Sequence, residues 1–260
     1  MVSFLPASVD RRWVLKKQKA MSWNMPPPTG GLNVRDAYTG MKPTDAVIMT
    51  NIFPEANDVA ARGGHALTST GGSMTGAIRS LLTWNGLNGT DKLFAGNGTS
   101  IYDVNANPAV VTTITGLANV DFQWTNIKTP GGIYLIAVNG ADTMKAYDGT
   151  NWTVPAITGV SSATFANVLQ FKERLWFSQV DSLDVWYLGT QAIAGAATVY
   201  PLGSVFHRGG YVIGLGTFSN DAGEGPDDYM CFITSNGEVA VYAGTDPSSV
   251  NTFALMGRFD

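Results

Sequence analysis

The chain has 260 residues, of which 45% are hydrophobic and only 14% are charged, and its formal net charge is −4. This apolar content is typical of a folded core and argues against a disordered tail. Because the charge balance is acidic, the chain has no overall basic field to hold nucleic acid or an anionic membrane. A sequence-independent nucleic-acid binder is therefore disfavoured.

Residues that suit short strands and tight turns are abundant, with 30 glycines, 9 tyrosines and 7 tryptophans. The single cysteine, Cys231, lies in an apolar run, which favours a buried and inert thiol. No apolar run approaches the roughly 18 residues of a membrane span, and Asp10-Arg11-Arg12 stands where a secretory signal needs an apolar core. We expect an unsecreted protein with no membrane partner.

The N-terminal part differs from the rest of the chain. Residues 1–22 contain five of the 16 basic residues, and this cluster is either a solvated extension or an arm that docks on a neighbouring subunit. The prolines of the following segment, 23–31, favour an extended polyproline strap. Thr44 or Asp45 can then cap a short helix over 46–51, which Phe53-Pro54 would end.

Two strands are expected next, over 58–67 and 76–84, joined as a hairpin by a loop of threonine, serine and glycine. This loop has no G-K-[ST] sequence, so a phosphate cradle is the weaker interpretation.

The remaining sequence repeats one pattern four times. A short apolar run is followed by a polar tip, usually Asn-Gly, and by an alternating run that carries a tyrosine. Asn-Gly between apolar runs predicts a β-hairpin, because both central residues of a type I′ turn need a positive φ. The four predicted hairpins span 93–104, 134–149, 175–189 and 231–244.

The spacing of these hairpins predicts the fold. They recur about every 40 to 55 residues, the period of four-stranded propeller blades, and further strands are expected over 120–127, 163–171 and 252–259. The predicted fold is all-β, with propeller-like repeats over 58–260 after an N-terminal strap and short helix over 1–57. Either the early strands close the ring or the chain is the N-terminal fragment of a longer protein, and we prefer the fragment.

The sequence contains no recognisable catalytic or metal-binding motif. His65 and His207 lack partners at metal-ligand spacing, and no G-x-S-x-G sequence is present. The chain is therefore expected to be a non-enzyme without metal or cofactor. Two residue groups could bind a sugar, a calcium ion or a base, but an exposed acidic loop is the preferred interpretation of the first group and burial between sheets that of the second. They are the acidic cluster Asp221, Glu224, Asp227 and Asp228, and the tryptophans Trp84, Trp124, Trp152, Trp176 and Trp186.

Four short sequences in the N-terminal part follow one another in an unusual order. They are Gly30-Gly31-Leu32-Asn33 with Arg35-Asp36, Pro43-Thr44-Asp45-Ala46, Phe53-Pro54 and Arg62-Gly63. Their order and spacing resemble the N-terminal signature of the tail nozzle or tail-hub proteins of short-tailed bacteriophages, the tail tubular protein B family. The signature covers about 40 residues, and the repeats that follow agree with the propeller of that family.

The resemblance implies a structural protein of the virion tail, assembled in the bacterial host cytoplasm. Such proteins form a homo-hexameric ring or tube below the portal and adaptor, and they conduct and gate DNA during ejection. The implied partners are other copies of the chain, the adaptor, tail fibre proteins and passing DNA that is not specifically bound. An acidic balance suits a channel wall along which DNA must slide.

Because the strap and helix lie outside the repeats, we expect them to supply contacts with a neighbouring copy or the adaptor. The candidate contact residues are Trp23, Pro26, Pro27, Pro28, Leu32, Arg35, Asp36 and Phe53. An alternative is a lone propeller that binds a carbohydrate or protein receptor, which should be a monomer. A third interpretation, a propeller glycosidase, requires two converging acids such as Asp227 and Asp228.

Overall fold

The computed structural model describes residues 25–87, 89–112, 114–221 and 226–260, and the chain divides into two compact units, 1–66 and 67–260. Helical structure in the described residues is limited to the 3-10 turns Tyr38–Gly40 and Ser162–Thr164. The prediction of an all-β fold is therefore confirmed. No helix of the described part is long and apolar enough to span a membrane.

The first unit contains two small sheets. Its strands are β1 Gly31–Leu32, β2 Asp45–Ala46, β3 Ile52–Pro54 and β4 Val59–Ala61. Strands β1 and β2 are parallel, and β3 and β4 are antiparallel. The sequence placed the domain boundary after residue 57, whereas the compact units divide after Ala66.

The predicted helix over 46–51 is wrong. Ala46 lies in β2 and its carbonyl accepts the N–H of Asn33, while the backbone of Asn51 has a φ of 57°. Asp45 does not cap a helix, because its carboxylate accepts hydrogen bonds from Asn33 and from the N–H of Lys42. The β-branched residues that follow also favour an extended backbone.

The predicted hairpin between 58–67 and 76–84 is wrong as well. The partner of β4 is β3, with Ile52 opposite Ala61, and residues 78–84 form the first strand of a different sheet. Sequence periodicity located both strand segments but carried no information on which strands pair.

The second unit contains four antiparallel sheets of four strands each, the blades. In chain order the strands are β5 Ile78–Trp84, β6 Lys92–Asn97, β7 Ser100–Asp103, β8 Val110–Val111, β9 Gln123–Thr129, β10 Gly132–Val138, β11 Lys145–Tyr147, β12 Trp152–Thr153, β13 Ile157–Thr158, β14 Phe165–Phe171, β15 Arg174–Gln179, β16 Asp184–Tyr187, β17 Gly195–Ala196, β18 Thr198–Pro201, β19 Val212–Asp221, β20 Pro226–Thr234, β21 Val239–Gly244 and β22 Phe253–Phe259.

Each blade is a four-stranded meander. Blade 1 is β5–β8, blade 2 is β9–β12, blade 3 is β14, β15, β16 and β18, and blade 4 is β19–β22. The first strands of successive blades lie side by side, as in a propeller, and β13 pairs in parallel with β17 outside the blades. The predicted propeller-like arrangement is thus confirmed.

All four predicted hairpins are present as the second and third strands of the blades, but their turns are not type I′. At three tips only the glycine has a positive φ: Gly98, Gly140 and Gly237. The asparagine before it keeps a negative φ and forms side-chain hydrogen bonds. Asn97 Oδ1, for example, accepts the N–H of Thr75 over 3.0 Å. Two consecutive positive φ values, as a type I′ turn requires, occur at Lys172 and Glu173, between β14 and β15.

The core lies between successive blades. One apolar cluster fills each of the three interfaces, centred on Phe94 and Leu135, on Ile136 and Phe177, and on Trp176 and Phe232. As predicted, tryptophans pack between the sheets: two are buried and three are half-buried. They are Trp84 and Trp176, and Trp124, Trp152 and Trp186. Cys231 is half-buried, and its burial raises the pKa of the thiol.

Candidate functional site

The first two pieces of the resemblance motif, Gly30–Asp36 and Pro43–Ala46, are joined by one hydrogen-bonded network. The side-chain amide of Asn33 donates to Asp36 over 3.0 Å and to Asp45 over 2.9 Å. Its Oδ1 accepts the N–H groups of Arg35 and Asp36. The hydrogen bonds from Asn33 and Arg35 hold the pKa of the Asp36 carboxyl below its usual range. These two pieces of the motif therefore act as a single structural element.

Gly30 completes this network. Its N–H donates to the carbonyl of Thr44 over 2.8 Å. A Cβ at this position would overlap Oδ1 of Asp45 and lie 2.9 Å from the Thr44 carbonyl oxygen. Only glycine allows this approach of the two segments.

The network presents large apolar side chains to solvent. Val34, Tyr38 and Ile48 are 82%, 81% and 80% exposed, and no hydrophobic side chain of residues 25–66 is buried. Val34 and Tyr38 border a shallow depression of about 370 Å³, together with Met41 and Val47. We call Val34, Tyr38, Met41, Val47 and Ile48 the strap surface. Clustered exposed apolar residues on a hydrogen-bonded support are typical of a binding surface.

The predicted contact residues differ in their exposure. Leu32, Arg35, Phe53 and Pro27 are exposed, whereas Asp36, Pro26 and Pro28 are half-buried. Arg35 and Asp36 form an ion pair of 3.1 Å, and Trp23 lies outside the described residues. Sequence reasoning missed Val34, Tyr38 and Ile48, because an apolar residue in an unclassified loop carries no sign of its exposure.

A second apolar surface lies on blade 4. The outer strands of blades 1 and 2 have two residues each, and that of blade 3 has four and ends at Pro201. The outer strand of blade 4, β22, has seven residues and exposes Leu255, Met256 and Phe259. Long apolar edge strands are templates for association, and short strands and proline are devices that prevent it.

The two ends of the blade series also differ. The outer face of blade 1 is packed by Met74, and hydrogen bonds from Ser69 to Ala106 and from Thr70 to Asn107 hold that segment in place. On blade 4, Phe218 stacks on Tyr229 at 5.2 Å and is still about half exposed. No segment among the described residues covers the apolar surface at the blade 4 end.

The acidic residues around Asp228 do not form a catalytic site in the described part of the chain. Asp228 accepts hydrogen bonds from Lys172 over 2.6 Å and from Ser219 over 2.7 Å, which lower the pKa of its carboxyl. The side chains of Asp221, Glu224 and Asp227 lie outside the described residues. Among the described residues, no group of three or more His, Cys, Asp or Glu side chains is placed to hold a metal ion.

The blades define the class of the chain, an all-β protein with propeller-like repeats. No protein-family model matches it, and no curated protein matches it. One similar solved structure is a variant of the Aleuria aurantia lectin in complex with alpha-methyl-L-fucoside, with 14% identity and a TM-score of 0.33. The match covers 68% of this chain and 61% of the lectin chain. At this identity and TM-score the likeness carries no argument about function.

Proposed function

We propose that the chain is a structural subunit of a bacteriophage tail, in which six copies form a ring below the portal and adaptor. The ring would conduct DNA and gate its ejection, and assembly would take place in the host cytoplasm. The observation that carries the proposal is in the first unit: two pieces of the nozzle-like motif, around Asn33 and Asp45, form one network, and exposed apolar side chains lie in the same segment. The role requires neither catalysis nor a cofactor.

Ring assembly needs two different surfaces that complement each other, because each copy contacts one neighbour on each side. The strap surface is one such surface. The open apolar side of blade 4, with Phe218, Leu255 and Met256, is the other. A heterologous contact between the strap surface of one copy and blade 4 of the next would cover both and repeat around the ring. The adaptor and tail fibre proteins would bind at the ends of this ring.

The charge of the chain also supports a DNA conduit. Its net charge of −4 does not favour retention of phosphates, so DNA could slide past without specific binding.

The test replaces apolar residues of the strap surface by acids. Val34→Asp and Tyr38→Asp should leave the fold intact, since both side chains are exposed, and should abolish assembly. Leu87→Asp, at an exposed position in the loop between β5 and β6, is the matched control and should assemble normally. Analytical ultracentrifugation gives the oligomeric state. Normal assembly of both strap variants, or of a chain lacking residues 23–57, would exclude this contact.

The second candidate is a lone propeller that recognises a carbohydrate or protein receptor. An open cleft between two blades, described below, favours it, and such a protein should remain a monomer. A glycosidase is not proposed, because it needs a second acid beside Asp228 and the side chain of Asp227 lies outside the described residues.

A further inference from the structure

A cleft of about 320 Å³ opens between the outer strands of blades 1 and 2. Blade 1 contributes Asp103 and Thr112, and blade 2 contributes Tyr147, Asn151 and Trp152. A volume of this size is at the lower end of the range for small-molecule sites.

One wall of the cleft is a fixed aromatic cluster. The ring of Trp152 lies 5.1 Å from that of Phe94 and 5.3 Å from that of Tyr147, and Phe94 and Tyr147 meet edge to face at 4.8 Å. These contacts hold the indole in place. Its N–H is buried with no acceptor among the described residues, as is the N–H of Trp176 between blades 3 and 4.

The other wall carries a carboxylate beside the apolar residues Ala106, Val110 and Val111. The carboxylate of Asp103 accepts hydrogen bonds from Lys92 Nζ over 2.8 Å and from the N–H of Asn105 over 2.9 Å. These bonds fix its orientation, and the hydrogen bond to Asp103 raises the pKa of Lys92. Thr112, whose hydroxyl donates to the carbonyl of Ile101 over 2.8 Å, and Asn151 also line the cleft. The cleft therefore combines an aromatic face with a positioned carboxylate.

The corresponding position between blades 3 and 4 is filled by the protein itself. Tyr200 lies opposite Val185 on the outer strand of blade 3, and its ring packs against Trp176, Tyr242 and Phe253 at 5.5–5.7 Å. Burial there raises the pKa of the Tyr200 hydroxyl.

Strand register identifies the equivalent of Tyr200 in blade 1. In blade 1, Ile101 on β7 lies opposite Gly96 on β6; in blade 3, Val185 on β16 lies opposite Ser178 on β15. Ile101 and Val185 therefore hold the same position in their blades. On the outer side of Ile101 lies Thr112, whose N–H donates to the Ile101 carbonyl. Thr112 thus occupies the position of Tyr200 with a much smaller side chain. The aromatic lining is kept in both interfaces, but only blades 1 and 2 leave the space in front of it open.

We infer that the cleft between blades 1 and 2 binds a single sugar ring. The apolar C–H face of a pyranose would stack on the Trp152 and Tyr147 cluster, and its hydroxyls would donate to Asp103 and bond to Thr112 and Asn151. The inference goes beyond the proposed ring and does not depend on it, because either a ring subunit or a lone propeller can carry this cleft.

The test is a variant, Thr112→Tyr, whose side chain should fill the cleft as Tyr200 fills the space between blades 3 and 4. Binding to the full chain is measured by saturation-transfer NMR. The probes are methyl glycosides of a hexose, a 6-deoxyhexose, an N-acetylhexosamine and a uronic acid. At least one glycoside should bind, and Thr112→Tyr should abolish its signal. Thr198→Tyr makes the same change at an exposed position on the outer strand of blade 3 and should leave binding unaltered.

A second variant keeps the shape of the cleft. Asp103→Asn should weaken the bound glycoside by about tenfold or more, since the carboxylate accepts stronger hydrogen bonds than an amide. The absence of any bound glycoside would overturn the inference, as would equal binding by Thr112→Tyr. If Thr112→Tyr fails to fold, unchanged affinity in Asp103→Asn would overturn it. None of these outcomes depends on the oligomeric state, which tests the ring separately.

Discussion

Gly30 lies where two segments of the first unit meet, with its N–H bonded to the carbonyl of Thr44. The change Gly30→Ala would push a methyl group into Asp45 and the Thr44 carbonyl, which we expect to destabilise the network by about 1–3 kcal/mol. Gly40→Ala is the control, because a Cβ there meets nothing within 4 Å. Amide hydrogen exchange at Asn33 should become faster in Gly30→Ala alone. Unchanged protection would show that the network does not depend on this approach.

Glu238 is a buried carboxylate in blade 4. Its oxygens accept the N–H groups of His207 and Arg208 over 2.9 and 2.7 Å, and Arg258 lies 3.7 Å away. Burial acts to raise the pKa of Glu238, but the N–H groups and the arginines outweigh it and the pKa is lowered. A carboxyl whose pKa is lower in the folded state stabilises the fold above its unfolded pKa, and this stability is lost as the pH falls through the folded pKa.

Replacing Glu238 by glutamine should lower the Tm at pH 7 relative to the unaltered chain. This Tm difference should shrink as the pH falls below about 4, because the Glu238 carboxyl is then protonated in the unaltered chain. Thermal melts followed by circular dichroism across this pH range are the measurement. A Tm difference that stays constant with pH would contradict the assigned role of the charge.

At the scale of elements, the hairpin from β14 to β15 has an unfavourable turn sequence. Lys172 and Glu173 have φ values of 46° and 60°, with Phe171 opposite Arg174. Replacing the pair by Asn-Gly should stabilise the blades by about 1 kcal/mol, since these residues adopt a positive φ readily. The lost pair between Lys172 and Asp228 is partly exposed and contributes little.

The measurement is the Tm of the double variant, which should rise by about 2–4 °C for a unit of this size. A lower Tm would mean that the Lys172 and Glu173 side chains contribute more than their backbone conformation costs.

Among the elements, those formed by local contacts could be predicted from the sequence, and those that depend on distant residues could not. The four hairpins were predictable because each is local and carries its own turn residues, such as Gly98 and Gly237. The prediction of a helix over 46–51 was wrong because the side chain of Asp45 bonds to Asn33, twelve residues earlier. No local sequence pattern shows this contact. The pairing of β3 with β4 was missed for the same reason, since strand pairing depends on residues outside each segment.

At the scale of the whole molecule, the candidate surfaces were the least predictable. The motif located the strap, but the exposure of Val34 and Tyr38 follows from the network beneath them. The open cleft follows from the difference between Thr112 and Tyr200, and the two positions are equivalent only once strand register is known. The open side of blade 4 depends likewise on which faces of the blades other segments cover.

The central claim is that copies of the chain assemble into a closed ring. Native mass spectrometry of the unaltered chain, supported by negative-stain images of the same sample, tests it most directly. The account predicts a particle of six times the chain mass of 27.6 kDa, with sixfold symmetry in projection. A monomer at every concentration that the protein tolerates, with the first unit intact, would contradict it.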